Sequence, residues 1–197
     1  MADVEHEIEE QDNPRERDPE REARRAYALG QVRQYPDPCL RMRSNEVDAF
    51  GEPLVKLTRR MAQLMHDANG VGLAAPQVGI LQRVLVYQTE EHDDAVALVN
   101  PVIVAASEET AVAEEGCLSL GRASVTVDVE RPAAITVEAR TPLGEEVRLD
   151  ADGLEARVIQ HELDHLDGVL IIDRTVAEQR KAALGQLRPR PELRPIR

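Results

Sequence analysis

Along residues 52–70, EPLVKLTRRMAQLMHDANG, apolar side chains recur at Leu54, Leu57, Met61, Leu64 and Met65. Spacings of three and four place them on one helix face, and Gly70 supplies a stop signal. The next stretch, GVGLAAPQVGI, is small and glycine-rich. Short β-branched runs follow, RVLVYQ, AVALVNPVIVA, ASVTVDV, AAITVEA and EEVRL, divided by turn residues. They predict several strands, largely antiparallel. Helical spacing returns in DADGLEARVIQHELDHLDG, where Asp152 and Glu155 stand as a capping box. A short apolar run, VLIIDR, and an amphipathic stretch from Thr175 to Leu187 complete the folded part. The pattern predicts an α+β fold, a single domain of mostly antiparallel short sheets around a central helix.

The two ends differ from this middle. Residues 1–25 are mostly Glu, Asp and Arg, too poor in apolar groups to offset ordering entropy by burial, and are expected to form an acidic solvated extension. The domain is expected to run from 26 to 187, entered through the turn-rich YPDPCLR, and 188–197 form a tail whose prolines forbid a helix.

Composition narrows the function. With 197 residues and 42% hydrophobic content the chain can bury one substantial core. Its net charge of −13 disfavours DNA or an anionic membrane as the main partner. One Phe and no Trp leave few platforms for base stacking. No apolar run reaches the roughly 20 residues needed to span a bilayer, and the first residues resemble neither a signal nor a transit peptide, so a cytoplasmic protein is expected. Two cysteines, Cys39 and Cys117, make no disulfide framework.

The candidate chemistry lies in QHELDHLDG, residues 160–168. At about 100° per residue, Val158, His161 and His165 continue a seam that begins at Leu154 and should point inward. Ile159, Leu163 and Leu166 form a second apolar stripe, and Arg157, Gln160 and Asp164 share a polar arc toward solvent. Glu162 falls between seam and stripe, where desolvation raises a carboxyl pKa toward the range useful for proton transfer. Asp164 and Asp167 are expected at a solvated face and a helix end. Two imidazoles four residues apart around a Glu can share one metal ion, whereas a single inward His is more often a core residue.

Such a site needs a third protein ligand. In the metzincin pattern the third histidine falls on Ile171, and the downstream glutamates, Glu178 and Glu192, are poorly placed. Upstream, EEGCLSL offers Cys117 after a glycine, suited to a thiolate at a strand end. His6, His66 and His92 have no comparable setting, which leaves Cys117 as the best ligand. Two imidazoles and a thiolate suit Zn²⁺, Fe²⁺, Co²⁺ or Ni²⁺. Cys39 is assigned to packing.

In this order and at these separations, GVGLAAPQ, EGCLS and HELDH resemble the three motifs of the peptide deformylase family, over about Tyr35 to Arg174. The resemblance implies removal of the N-formyl group from formylmethionine on nascent polypeptides, with release of formate. It implies one divalent metal, Fe²⁺ in the cell with Zn²⁺, Ni²⁺ or Co²⁺ as substitutes, held by Cys117, His161 and His165. Glu162 would be the general acid/base, and Gln77 and the Leu118 N–H the oxyanion donors. Metal-bound water is acidified from about 15.7 toward about 7, which furnishes hydroxide at neutral pH. Gly70, Val71 and Gly72 would let the backbone approach substrate closely. A monomer in a bacterial cytoplasm is expected, acting on nascent peptides near the ribosomal exit tunnel. The chain departs from the family after the Cys motif, where SLGRASVTV passes directly through Gly121 and Arg122 without the customary proline; Arg122 is expected to face the peptide.

Overall fold

A computed structural model describes residues 18–123 and 125–188. The acidic stretch 1–17, the tail from 189 with its Glu192, and the side chain of Arg122 lie outside the described residues. Among the described residues are four α-helices, α1 (Pro19–Gln31), α2 (Glu52–Asp67), α3 (Gly153–Leu166) and α4 (Ala177–Leu187). Seven strands accompany them, β1 (Gly72–Ala74), β2 (Val84–Tyr87), β3 (Val96–Ala106), β4 (Thr110–Gly116), β5 (Thr126–Pro132), β6 (Ala134–Arg140) and β7 (Glu146–Asp152). Helix α1 runs across residue 25, so the start of the domain and part of its extension share one helix.

Strands β1-β2-β3-β6-β7 form an antiparallel sheet in that order, and β4 and β5 form a separate antiparallel hairpin. Side chains alternate across a strand, and β2 shows it on two buried faces. Val84 and Val86 pack with Met61 and Met65 of α2, while Leu85 and Tyr87 pack with Ile159, Leu163 and Leu166 of α3. The sheet thus lies between α2 and α3. A third cluster joins Val127 and Val129 of β5 to Leu40, Leu120 and the run Leu170–Ile172.

Helix termini fix where the motifs stand. After α2, Asn69 takes the left-handed conformation at φ 57°, with the Gly70 N–H donating to Met65 O at 2.8 Å and the Asn69 N–H to His66 O at 2.9 Å. That is a Schellman cap whose left-handed residue is Asn69, not the glycine that the sequence suggested. Gly70 has a steric role instead, because a Cβ there would lie 2.8 Å from Leu118 Cδ1. After α3, Gly168 at φ 74° fills the same position, with Val169 N–H donating to Asp164 O at 2.8 Å. A Cβ on Gly168 would also meet Arg41 O at 2.7 Å, so left-handed backbone and close approach both require glycine.

Four expectations need correction. The Asp152 side chain makes no capping bond; Glu155 is buried and accepts hydrogen bonds from Tyr87 Oη and His92 Nε2, both at 2.7 Å. Leu154 is 57% exposed, because the seam begins beyond the edge of the core. Asp164 is only 7% exposed. Its polar arc faces the β4–β5 hairpin rather than solvent, and hairpin groups satisfy it: Gln160 donates to Pro132 O at 3.1 Å and Arg157 to Val129 O at 2.9 Å. Strands β1 and β4 also lie outside the predicted runs; β4 is mostly exposed and polar, so it carries no continuous apolar signal.

Candidate metal centre

Cys117 follows the last residue of β4, and His161 and His165 lie one turn apart on α3. Strand end and helix bring the three together. Their ligand atoms all lie within 4.8 Å of one another, with Cys117 Sγ 3.2 Å from His165 Nε2. Among the described residues no other group of His, Cys, Asp and Glu converges in this way, and no fourth such ligand joins this one. A thiolate and two imidazoles without a fourth protein ligand match an open transition-metal site rather than a closed structural one.

The orientation of His161 is set from behind. Its Nδ1 lies 3.0 Å from Glu115 Oε2, which leaves Nε2 for an ion and reproduces the carboxylate–histidine arrangement common at metal sites. Burial would raise the Glu115 carboxyl, but hydrogen bonds from His161 and Arg131 hold it well below the usual range. Burial, and then His161, push His165 below the usual imidazole range, toward the neutral form that ligates metal.

Glu115 opens a buried ion-pair chain. Arg131 binds it with two hydrogen bonds, at 2.7 and 3.0 Å, and donates to Asp164 Oδ2 at 2.9 Å. Arg157 also donates to Glu115 at 2.7 Å, and Arg174 to Asp164 at 3.1 Å. Arg131 points inward because it continues the β5 alternation of Val127 and Val129. Period-two reading of TVDVER could have placed it in the interior. Glu115 was missed because EEGC offers two adjacent glutamates, of which only the second turns inward.

Glu162 is 3% exposed, and its Oε2 has no hydrogen-bond partner among the described residues. Burial pushes its pKa up to about 7, against the lowering influence of His161 and Arg131. Gly72 makes room for it: a Cβ there would stand 2.4 Å from Glu162 Oε1 and 2.9 Å from Val158 Cγ1. Gln77 is 1% exposed. Its Oε1 accepts from the Ala74 N–H at 2.8 Å, and its Nε2 donates to Ser119 Oγ at 3.2 Å and approaches Cys117 Sγ at 3.8 Å. The amide is therefore oriented with its donor end toward the centre. Cys39 lies apart, its thiol donating to Pro76 O at 3.4 Å and raised by burial, as suits a packing residue.

Cys117, Leu118, Gln77, His161 and Glu162 line one cavity of about 410 Å³ together with Gly70, Val71 and Gly72. The sequence motifs thus meet in a single pocket, which also takes in Arg25 and Leu29 of α1 and Glu114 of β4. Ile171, where a metzincin has its third histidine, is 2% exposed in the third core cluster.

An antiparallel α+β domain that sets a Cys/His/His centre beside a buried glutamate has the form of a metal-dependent hydrolase. Sequence comparison gives the family: the polypeptide deformylase family matches residues 29–181, and the chain belongs to it. The chain is 44% identical to the peptide deformylase of Caldicellulosiruptor bescii over 163 residues, 83% of this chain and 95% of that one. The crystal structure of peptide deformylase from Thermotoga maritima superposes with a TM-score of 0.70 at 47% identity, covering 74% of this chain and 96% of that chain. The enzyme from Synechococcus elongatus, solved in complex with actinonin, superposes with a TM-score of 0.74 at 39% identity, over 79% and 85% of the two chains. No helix among the described residues is long and apolar enough to cross a membrane.

Proposed function

We propose that this chain hydrolyses the N-formyl amide of N-terminal formylmethionine on nascent polypeptides and releases formate. The observation that carries the reading is the convergence of Cys117, His161 and His165 beside Glu162, which lines the same cavity as Cys117 and His161 and whose buried Oε2 has no partner among the described residues.

In this reading Cys117, His161 and His165 hold one divalent ion, Fe²⁺ in the cell and Zn²⁺, Ni²⁺ or Co²⁺ in substitution. The ion supplies Lewis acidity and an activated water. Glu162 takes the proton from the attacking water and returns one to the leaving amine, from a site where solvent does not compete for its Oε2. As charge develops on the formyl oxygen, the Gln77 amide and the Leu118 N–H donate to it. One such donor contributes roughly 3 kcal/mol to a barrier. Ala74 and Ser119 hold Gln77 so that it need not reorganise when charge appears. Gly70, Val71 and Gly72 form the wall along which the substrate backbone runs. The domain 26–187 carries the whole site, working as a monomer in a bacterial cytoplasm on chains that emerge from the ribosome.

The test is formate release from formyl-methionyl-alanine amide by protein purified without oxygen in Ni²⁺ or Fe²⁺, with the acetyl-methionyl analogue as control. Release from the formyl peptide alone is the expected result. Release from neither peptide by protein carrying one bound metal overturns the reading.

A further inference from the structure

One wall of the cavity is α1, most of which precedes the family match, Arg25 outside it and Leu29 at its first residue. The match begins at residue 29, whereas α1 begins at Pro19. Arg21, Arg25 and Leu29 of α1 are spaced by four residues and so share one helix face. Arg21 Nη2 donates to Asn69 Oδ1 at 3.3 Å, next to Gly70 on the cavity rim. Leu29 and Arg25 line the cavity itself, Leu29 partly buried and Arg25 exposed. Ala28 and Val32 bury the adjoining face of α1 against the α2 core. The helix is therefore held against the rim from both ends of this stripe.

The charges in the cavity are not equally available. Arg157 is occupied by Glu115, Val129 O and Ala111 O, and Glu115 by Arg131, Arg157 and His161. Arg25 makes no ion pair among the described residues, unlike its neighbour Arg24, which lies near Asp18 and Glu20. Glu114, the other exposed charge on the rim, is likewise unpaired among them.

We infer that α1 is an added wall of the substrate groove, and that Arg25 makes the enzyme favour nascent peptides with an acidic side chain shortly after the formylmethionine. This rests on the deformylase reading. With the formyl group at the metal centre, an extended chain advances about 3.3–3.6 Å per residue. Residues two to four therefore come within reach of the cavity lining, to which Arg25 contributes an exposed charge. Arg25 acts on substrate by charge attraction and takes no part in the chemistry.

The experiment compares kcat/KM for formyl-methionyl tetrapeptide amides carrying Glu, Gln or Lys in turn at residues two, three and four. The C-terminal amide removes the free carboxylate as a rival partner for Arg25. Wild type, Arg25→Ala, Arg25→Glu and Arg24→Ala are measured, and the Glu/Lys ratio is read because it cancels any general loss of activity. At one of these positions wild type should favour Glu over Lys by roughly threefold at low salt, as expected for an exposed ion pair. Arg25→Ala should bring the ratio near one, Arg25→Glu should invert it, and Arg24→Ala should keep the wild-type ratio. Added salt should weaken the preference. A ratio that Arg25→Glu does not change, or that Arg24→Ala changes equally, overturns the inference and leaves deformylation standing. Absence of formate release from every formyl peptide overturns both.

Discussion

Each side of α3 carries a buried carboxylate, and the two are treated in opposite ways. Asp164, toward the hairpin, is held by Arg131 and Arg174. Glu162, toward the cavity, keeps one buried oxygen without a partner among the described residues. A fully paired buried charge is fixed in place and chemically quiet, whereas an unpaired one is costly to bury and ready to exchange a proton. One helix thus presents a paired framework on one side and an unpaired carboxyl oxygen on the other, with His161 tied to the framework through Glu115.

The contrast can be broken at several points. The largest effect is expected from Cys117→Ala, which should abolish stoichiometric metal binding, and activity with it; a full equivalent by elemental analysis would remove Cys117 from the ligand set. On the framework side, Asp164→Ala should cost about 3 kcal/mol in denaturant unfolding, the low end for a broken buried pair because Glu115 still holds Arg131. On the chemical side, Glu162→Gln should keep metal and stability while kcat falls by about 10² or more. Turnover close to wild type would show that Glu162 carries no proton.

The smallest effect probes pH. Burial raises Asp173, but its hydrogen bonds with Arg41 and the Leu170 N–H win and hold its carboxyl below the usual aspartate range. A carboxyl depressed by folding contributes stability above its unfolded pKa and loses it as pH falls through the folded value. Asp173→Asn should therefore cost about 1 kcal/mol at neutral pH. The difference from wild type should close as the solution is taken below the usual aspartate range, followed by unfolding midpoints across pH. A constant difference would assign the effect to packing.

How much was legible in advance follows the same division. Strands β2, β3, β6 and β7 of the main sheet and the helices α2 and α3 could be read because their sequences carry a strand or helix period, and Glu162 because it falls beside an apolar stripe. Asp164 was misplaced because helical periodicity reports an apolar face but not what covers the polar one. Its cover is the β4–β5 hairpin, whose first strand is mostly exposed and whose second hides Arg131 among valines. The cavity wall from α1 was equally illegible: Arg25 sits in a charged stretch that reads as solvated, and only the packing of Ala28 and Val32 turns that stretch toward the groove.

Gly72 shows how an atom that is absent can govern an enzyme's tolerance of mutation. Any replacement there begins with a Cβ that would stand 2.4 Å from Glu162 Oε1. In a selection that scored every single substitution for growth, position 72 should therefore be as intolerant as position 162 itself, although glycine contributes no functional group. A lineage could exchange many surface residues and still be unable to step away from this one unless Glu162 moved with it.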